Sequence, residues 1–339
     1  MRSFWLRQWF GQAGWQGAPL SLLCLFWLLC ASTALAQSCS VTPASGNYGA
    51  VDILSGSAVN TSSTFTVTCN GALITVGICI QFDQGSPNSN TSIRYMTNGT
   101  SLVQHELYSD SNRTVVWGSW GHGATAYGAG GVSTTMTLPP LGGTVSQNFT
   151  VYGQFKAGQS TAPPGTYTWS TTSPEINYGI LPISCTLPLG LFNASAGSSP
   201  WTATIGANCA VSTTAVNFGS ASLLTANIDA TGTVSAQCTN STPFSIGLDT
   251  GANASSGQRR MRLGATSNYV SYNLYTDAGR SQPWSTSSSA TACSGGAGSC
   301  ALGTGDATAH SVTVYGRVPP QTSPAPGAYA DSVVVTVTY

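Results

Sequence analysis

The sequence predicts an all-β protein of two sandwich domains, the second short of its last strand. Three observations carry this. The chain repeats itself: Cys39-Ser-Val-Thr-Pro-Ala-Ser-Gly-Asn-Tyr-Gly, returning to Cys69, is echoed by Cys209-Ala-Val-Ser-Thr-Thr-Ala-Val-Asn-Phe-Gly, returning to Cys238. Strand alternation is common after residue 37, as in Thr64-Phe-Thr-Val-Thr-Cys69 and Ser311-Val-Thr-Val-Tyr315, while helical periodicity is nearly absent. The copies end unequally. Pro164-Gly165-Thr166-Tyr167 is echoed by Pro326-Gly327-Ala328-Tyr329, but the second copy stops at Tyr339 while the first continues through Tyr178-Gly-Ile-Leu-Pro-Ile-Ser-Cys185.

Bulk composition agrees. A chain of 339 residues allows two domains with their own cores, and duplication makes two the preferred count. Charged residues make up 6 %, the net charge is zero and Lys156 is the only lysine. That excludes nucleic acid and anionic membrane as partners, since both need a clustered basic face.

The chain opens with a secretory signal over residues 1–36. Arg2 and Arg7 precede an apolar run, Leu20 to Leu35, and Ala34-Leu35-Ala36 is a cleavage site. The mature chain is therefore read as exported. Eight cysteines follow, an even count that favours disulfides. Cys39–Cys69 and Cys209–Cys238 occupy matching positions, so each closes its own copy. Cys293 and Cys300 flank Ser-Gly-Gly-Ala-Gly-Ser and pair locally, which leaves Cys79 for Cys185. Metal binding competes poorly: there is no C-x-x-C, and His105, His122 and His310 are scattered. No cofactor is implied.

Turn clusters rich in Gly, Asn, Ser and Pro separate the strands. Copy one places strands near 39–50, 62–69, 76–83, 104–110, 147–156 and 165–172, and adds a seventh near 179–187. Copy two places them near 209–219, 231–239, 243–249, 268–276, 309–318 and 328–339. This gives an N-terminal domain over 37–192, a small-residue linker over 193–200 and a C-terminal domain over 201–339. A sandwich without its last strand exposes core side chains and unpaired backbone groups, and so accepts a strand from another chain. Val333, Val335, Val337 and Tyr339 are the expected acceptor residues.

The Cys-x-Val-Ser/Thr start, the following Asn-Tyr/Phe-Gly, the Tyr-Gly-Gln/Arg strand, the Pro-Gly-x-Tyr turn and the Val-Thr-Val-Thr-Tyr end resemble the spore coat protein U domain. That domain is the pilin of archaic chaperone–usher pili of the Csu type. The resemblance covers nearly all the mature chain and implies immunoglobulin-like sandwiches. It also implies three protein partners: a periplasmic chaperone, an outer-membrane usher and a next subunit that donates a strand. A shaft pilin also donates a strand from an N-terminal extension. Only Gln37 and Ser38 precede Cys39 after the expected cleavage, so the resemblance implies a fimbrial tip adhesin at the cell surface that receives a strand and gives none.

Binding is expected at the loops furthest from the second domain. They carry apolar groups: Ala72, Leu73 and Ile74 between the second and third strands; Trp120, Tyr127 and Leu141 between the fourth and fifth; Ile176 and Tyr178 after the sixth. The resemblance implies a hydrophobic contact for abiotic or host surfaces. The aromatic residues also suit a lectin-like tip that stacks on sugars, and a non-adhesive secreted coat or pilin subunit is a further alternative. Glu106 and Asp110 are candidate paired carboxylates for glycoside cleavage, but no hydrolase, metalloprotease, phosphate-loop or dinucleotide motif supports an enzyme.

Overall fold

A computed structural model describes residues 37–72, 74–87, 93–119, 127–128, 130–180, 185 and 192–339. The expected signal segment, Leu73 and Trp120 lie outside them. The described residues are all-β, with one 3-10 turn at Ile53–Ser55 and no α-helix.

The first domain is built on two long strands. Its elements are β1 (Ser38–Val41), β2 (Gly46–Val51), β3 (Val59–Gly71), β4 (Thr75–Gln81), β5 (Arg94–Thr97), β6 (Leu102–Tyr108), β7 (Val132–Thr137), β8 (Gly143–Phe155), β9 (Gly165–Trp169), β10 (Glu175–Gly179), β11 (Phe192–Ser195) and β12 (Trp201–Ile205). β3 and β8 pair antiparallel from Val59↔Phe155 to Gly71↔Gly143. Period-two alternation makes this possible: Phe65, Val67 and Cys69 face the core, while Thr66 and Thr68 bond Asn148 and Ser146 across the outer face. One sheet runs β1-β3-β8-β6-β5-β9-β12-β2; the other runs β11-β10-β4-β7. Trp169, Trp201, Tyr167, Phe65, Phe82 and Phe155 fill the space between them.

Two sequence expectations change here. The strand that closes the first sheet is Trp201–Ile205; of the seventh strand expected near 179–187, residues 181–184 and 186–187 lie outside the described residues. The closing strand pairs antiparallel with β9 and parallel with β2, and it buries Trp201, Ala203 and Ile205. Glu175–Gly179 instead continues the path of β9 into the second sheet, where it pairs with β4. Nor is 193–200 a free linker, because Phe192–Ser195 pairs with β10 along the register Glu175↔Ser195 to Tyr178↔Phe192. The first domain therefore extends to Ile205, and the change of domain falls at 206–208. The physical reason is a slot. Gly46 and Gly153 lack a Cβ, and the Trp201 ring lies in the space they leave; a Cβ at either would fall within 2.5 Å of it.

The second domain repeats the frame. Its strands are β13 (Cys209–Thr214), β14 (Ile228–Cys238), β15 (Pro243–Leu248), β16 (Arg259–Leu263), β17 (Tyr269–Tyr275), β18 (Ser287–Ser289), β19 (Ala292–Cys293), β20 (Ala301–Thr304), β21 (Ala309–Val318), β22 (Tyr329–Ala330) and β23 (Val335–Thr338). The sheets run β13-β14-β21-β17-β16-β22 and β20-β15-β23, with a small β18–β19 ribbon. Equivalent contacts fix the correspondence between copies. Trp117 Nε1 donates to Ile80 O at 3.0 Å, and Trp284 Nε1 to Ile246 O at 3.0 Å. Tyr167 OH donates to Pro163 O at 2.9 Å, and Tyr329 OH to Ala325 O at 2.6 Å. Disulfides join Cys39–Cys69, Cys79–Cys185, Cys209–Cys238 and Cys293–Cys300. The domains touch through Asn208 Nδ2 to Asp52 Oδ1 at 3.2 Å and Asn240 Nδ2 to Thr161 O at 2.7 Å.

Candidate functional site

The slot that β12 fills in the first domain has a counterpart in the second. There it is an open groove of about 310 Å³ between residues 213–218 on one side and 329–335 on the other. Its floor includes Leu248, Met261, Leu274 and Val314. Leu248, Leu274 and Val314 are themselves buried and Met261 is half-buried, against complete burial of their first-domain counterparts, Phe82, Met96, Leu107 and Val151. The flanks differ accordingly. Gly46–Val51 forms a strand because β12 pairs with it, whereas residues 215–219 form none. Of the four expected acceptor residues, Val333 and Val335 line the groove. Val337 packs on the core from β23, opposite Ile246, and Tyr339 is half exposed. Neither of these two lines the groove.

One charged side chain, Asp331, lines this groove. Asp331 Oδ2 accepts from Tyr272 OH at 2.8 Å, and Oδ1 accepts from Asn253 N at 3.1 Å and Nδ2 at 3.0 Å. Burial first, and then the hydrogen bond to Asp331, raise the Tyr272 hydroxyl pKa, so it stays a donor. Beneath lies Arg259, buried, with Nη2 donating to Asp249 O at 2.6 Å and Trp284 O at 2.8 Å. Its first-domain counterpart, Arg94, is fully buried and is paired with Glu106. Sequence reasoning missed both arginines, because a charged side chain is normally read as solvated.

The second candidate surface is the pole of the first domain away from the junction. β8 runs about 40 Å from Phe155, near the second domain, to Gly143 at the far end. At that far end Leu138 N bonds Ile74 O at 2.9 Å, and Gly71 lies against the Leu138 side chain. Ala72 and Ile74 are half buried there, and Leu141 is 98 % exposed. Ile180, next to Gly179 of β10, and Phe192, opposite Tyr178, add exposed apolar surface that the sequence did not single out.

Three expected binding residues are core instead. Ile176 and Tyr178 belong to β10, opposite Ile80 and Ile78, so they fill the second sheet rather than a loop. Tyr127 is buried: its hydroxyl donates to Glu106 and its ring lies 4.3 Å from the Arg94 guanidinium. That site lies beside β6 (Glu106 level with Gln154), nearer the junction than the pole. Glu106 and Asp110 do not form a pair. Glu106 holds Arg94 and Tyr127, while Asp110 caps the 110–115 turn through Thr114 and Val115. Among the described residues, no group of three His, Cys, Asp or Glu side chains is placed to hold a metal.

A two-layer β frame used twice defines an all-β protein of two sheet-rich domains. The chain belongs to the Spore Coat Protein U domain family, whose domain matches residues 26–172 and again 193–336. Protein U of Myxococcus xanthus is 34 % identical over 153 residues, which is 40 % of this chain and 80 % of that protein. Among solved structures, the fold is similar to the CsuC–CsuE chaperone–tip adhesion subunit pre-assembly complex of Acinetobacter baumannii. A chain of that complex aligns at TM-score 0.51 and 16 % identity, over 89 % of this chain and 100 % of that one. The CupB6 tip adhesin of Pseudomonas aeruginosa aligns at TM-score 0.35 and 10 % identity, over 88 % of this chain and 93 % of that one.

Proposed function

We propose that this chain is the tip adhesin of a chaperone–usher pilus, exported through the periplasm, and that it mediates surface attachment and biofilm formation. The observation that carries this is the contrast between the domains: β12 closes the first, while the second keeps an open groove at the same place. In this reading both domains are immunoglobulin-like sandwiches. A donor strand from the next subunit fills the groove in the fibre; a periplasmic chaperone fills it beforehand and delivers the chain to an outer-membrane usher. Backbone pairing supplies affinity, and alternate apolar residues supply fit. The likeness to a chain of a chaperone–tip subunit pre-assembly complex supports the chaperone partner.

Attachment is assigned to the far pole, through the exposed Leu141, Ile180 and Phe192 together with the half-buried Ala72 and Ile74. Leu73, which lies outside the described residues between Ala72 and Ile74, belongs to the same proposal; Trp120, also outside them, follows Ser119, which pairs with Tyr127 away from that pole. Burial of Trp117 and Tyr127 removes two rings from a sugar-stacking surface, which favours hydrophobic contact over a lectin. The test is Leu141→Asp combined with Ile180→Asp in piliated cells. Attachment to polystyrene is expected to fall at least several-fold with pilus number unchanged. Full attachment by normally piliated double-variant cells would refute the assignment.

A further inference from the structure

The filled slot and the open groove differ at one level. In the first domain Trp201 stands opposite Trp169 on one side and Gly46 on the other. Its indole lies so close that a Cβ on Gly46 would be 2.4 Å from Cε3, and one on Gly153 would be 2.2 Å from Cζ3. Counting from the first cysteine of each copy, Val216 replaces Gly46; counting from Pro-Gly-x-Tyr, Asp331 replaces Trp169. Both line the groove. Val216 reaches over Gly316, the counterpart of Gly153: a Cβ there would be 2.7 Å from Val216 Cγ1. The space that takes an indole in one domain is narrowed by a methyl group and bounded by a carboxylate in the other.

We infer that the groove selects its incoming strand at this level. It takes a strand whose residue between Val216 and Asp331 is serine or threonine, and it rejects the tryptophan-bearing strand of its own first domain. The inference rests on the strand-accepting role proposed above. Asp331 supplies the polar half of the selection. Oδ1 already accepts two hydrogen bonds, but Oδ2 accepts only one, from Tyr272, so a lone pair remains for a short hydroxyl. An indole would instead meet the Val216 side chain, an overpacking of the kind that closely packed cores resist. The consequence is directional. A copy that offered its Trp201–Ile205 strand to the next copy's groove would start an open head-to-tail polymer, and Val216 with Asp331 disfavours that exchange.

The test extends the full chain beyond Tyr339 with a flexible linker as long as the 180–200 segment, followed by a strand copied from Trp201–Ile205. A second version carries serine in place of the tryptophan. Both are made in the natural chain and in a Val216→Gly/Asp331→Trp chain, and each is compared with its own unextended form. In the natural chain the serine strand is expected to raise the second domain's melting midpoint about 5 °C more than the tryptophan strand does, the shift of a tenfold preference. In the double variant the order reverses. Equal gains from both strands in both backgrounds, or a better tryptophan strand in the natural chain, would overturn the selection and leave strand acceptance intact. No gain from either strand would overturn both.

Discussion

Replacing Trp201 with alanine tests where the first domain ends. Trp201 is fully buried, its ring centroid lies 5.7 Å from that of Tyr48, and its Nε1 donates to Ala44 O at 2.8 Å. Truncating a buried tryptophan costs about 3–5 kcal/mol. The Ala44 carbonyl also loses its donor, which pushes the cost toward the upper end of that range. In a domain of this size the melting midpoint should fall by about 10 °C. Hydrogen exchange locates the damage: protection should drop in β2 and β9, the neighbours of Trp201, and stay unchanged in β14 and β21. Loss of protection in β14 and β21 instead would return Trp201–Ile205 to the second domain. A total cost under about 1 kcal/mol would mean that the strand does not close the sandwich.

Two further outcomes follow from buried charge in the first domain. Glu106→Gln leaves the Arg94 guanidinium buried with carbonyl partners only, and should cost about 3–5 kcal/mol in urea unfolding of the first domain while leaving the second domain's midpoint unchanged. His105 is fully buried beside Tyr48 OH, with Nδ1 at 3.2 Å. Burial first, and then the positive charges of Arg94 and Lys156, hold its pKa well below the ordinary imidazole value. The unfolded imidazole therefore takes up a proton below about pH 6.5 that the folded one refuses. Stability is whole above that pH and should fall by up to about 1.4 kcal/mol per unit as pH drops through 6.5 toward 5. His105→Gln should flatten that slope, and an unchanged slope would show that other groups carry it.

The features legible in the sequence were those written in covalent or turn chemistry. Paired cysteines, the Pro-Gly-x-Tyr corners and the period-two runs of β3 and β8 are local or repeated, and a repeat supplies its own control. β12 was hidden by its place rather than its pattern: Trp201-Thr-Ala-Thr-Ile205 alternates, but it follows a Ser-Ala-Gly stretch and directly precedes the second copy's cysteine, and its partners are β9 and, more than 150 residues away, β2. Ile176 and Tyr178 were misjudged because Ser173-Pro174 looks like the start of a loop, whereas the chain crosses there into the second sheet. Tyr127 sits in a glycine-rich run yet is buried, since Glu106 and Arg94 draw its hydroxyl and ring inward. Apolar residues in a predicted loop indicate exposure only when no polar group inside claims them. At the far pole Leu141 met that condition and was legible, while Ile180 was passed over in favour of its buried neighbours.

β12 also decides how a pulling force would travel. Residues 206–208 alone separate it from β13, which is anchored at once by Cys209–Cys238. A tug on the second domain therefore reaches the first along the axis of β12, which lies hydrogen-bonded between β9 and β2. Tension along a strand held on both sides loads its hydrogen bonds in parallel, as shear, so they resist together rather than peeling one at a time. The tryptophan wedged at the start of that strand, in the slot left by two glycines, would have to be drawn through the core before the strand could slide.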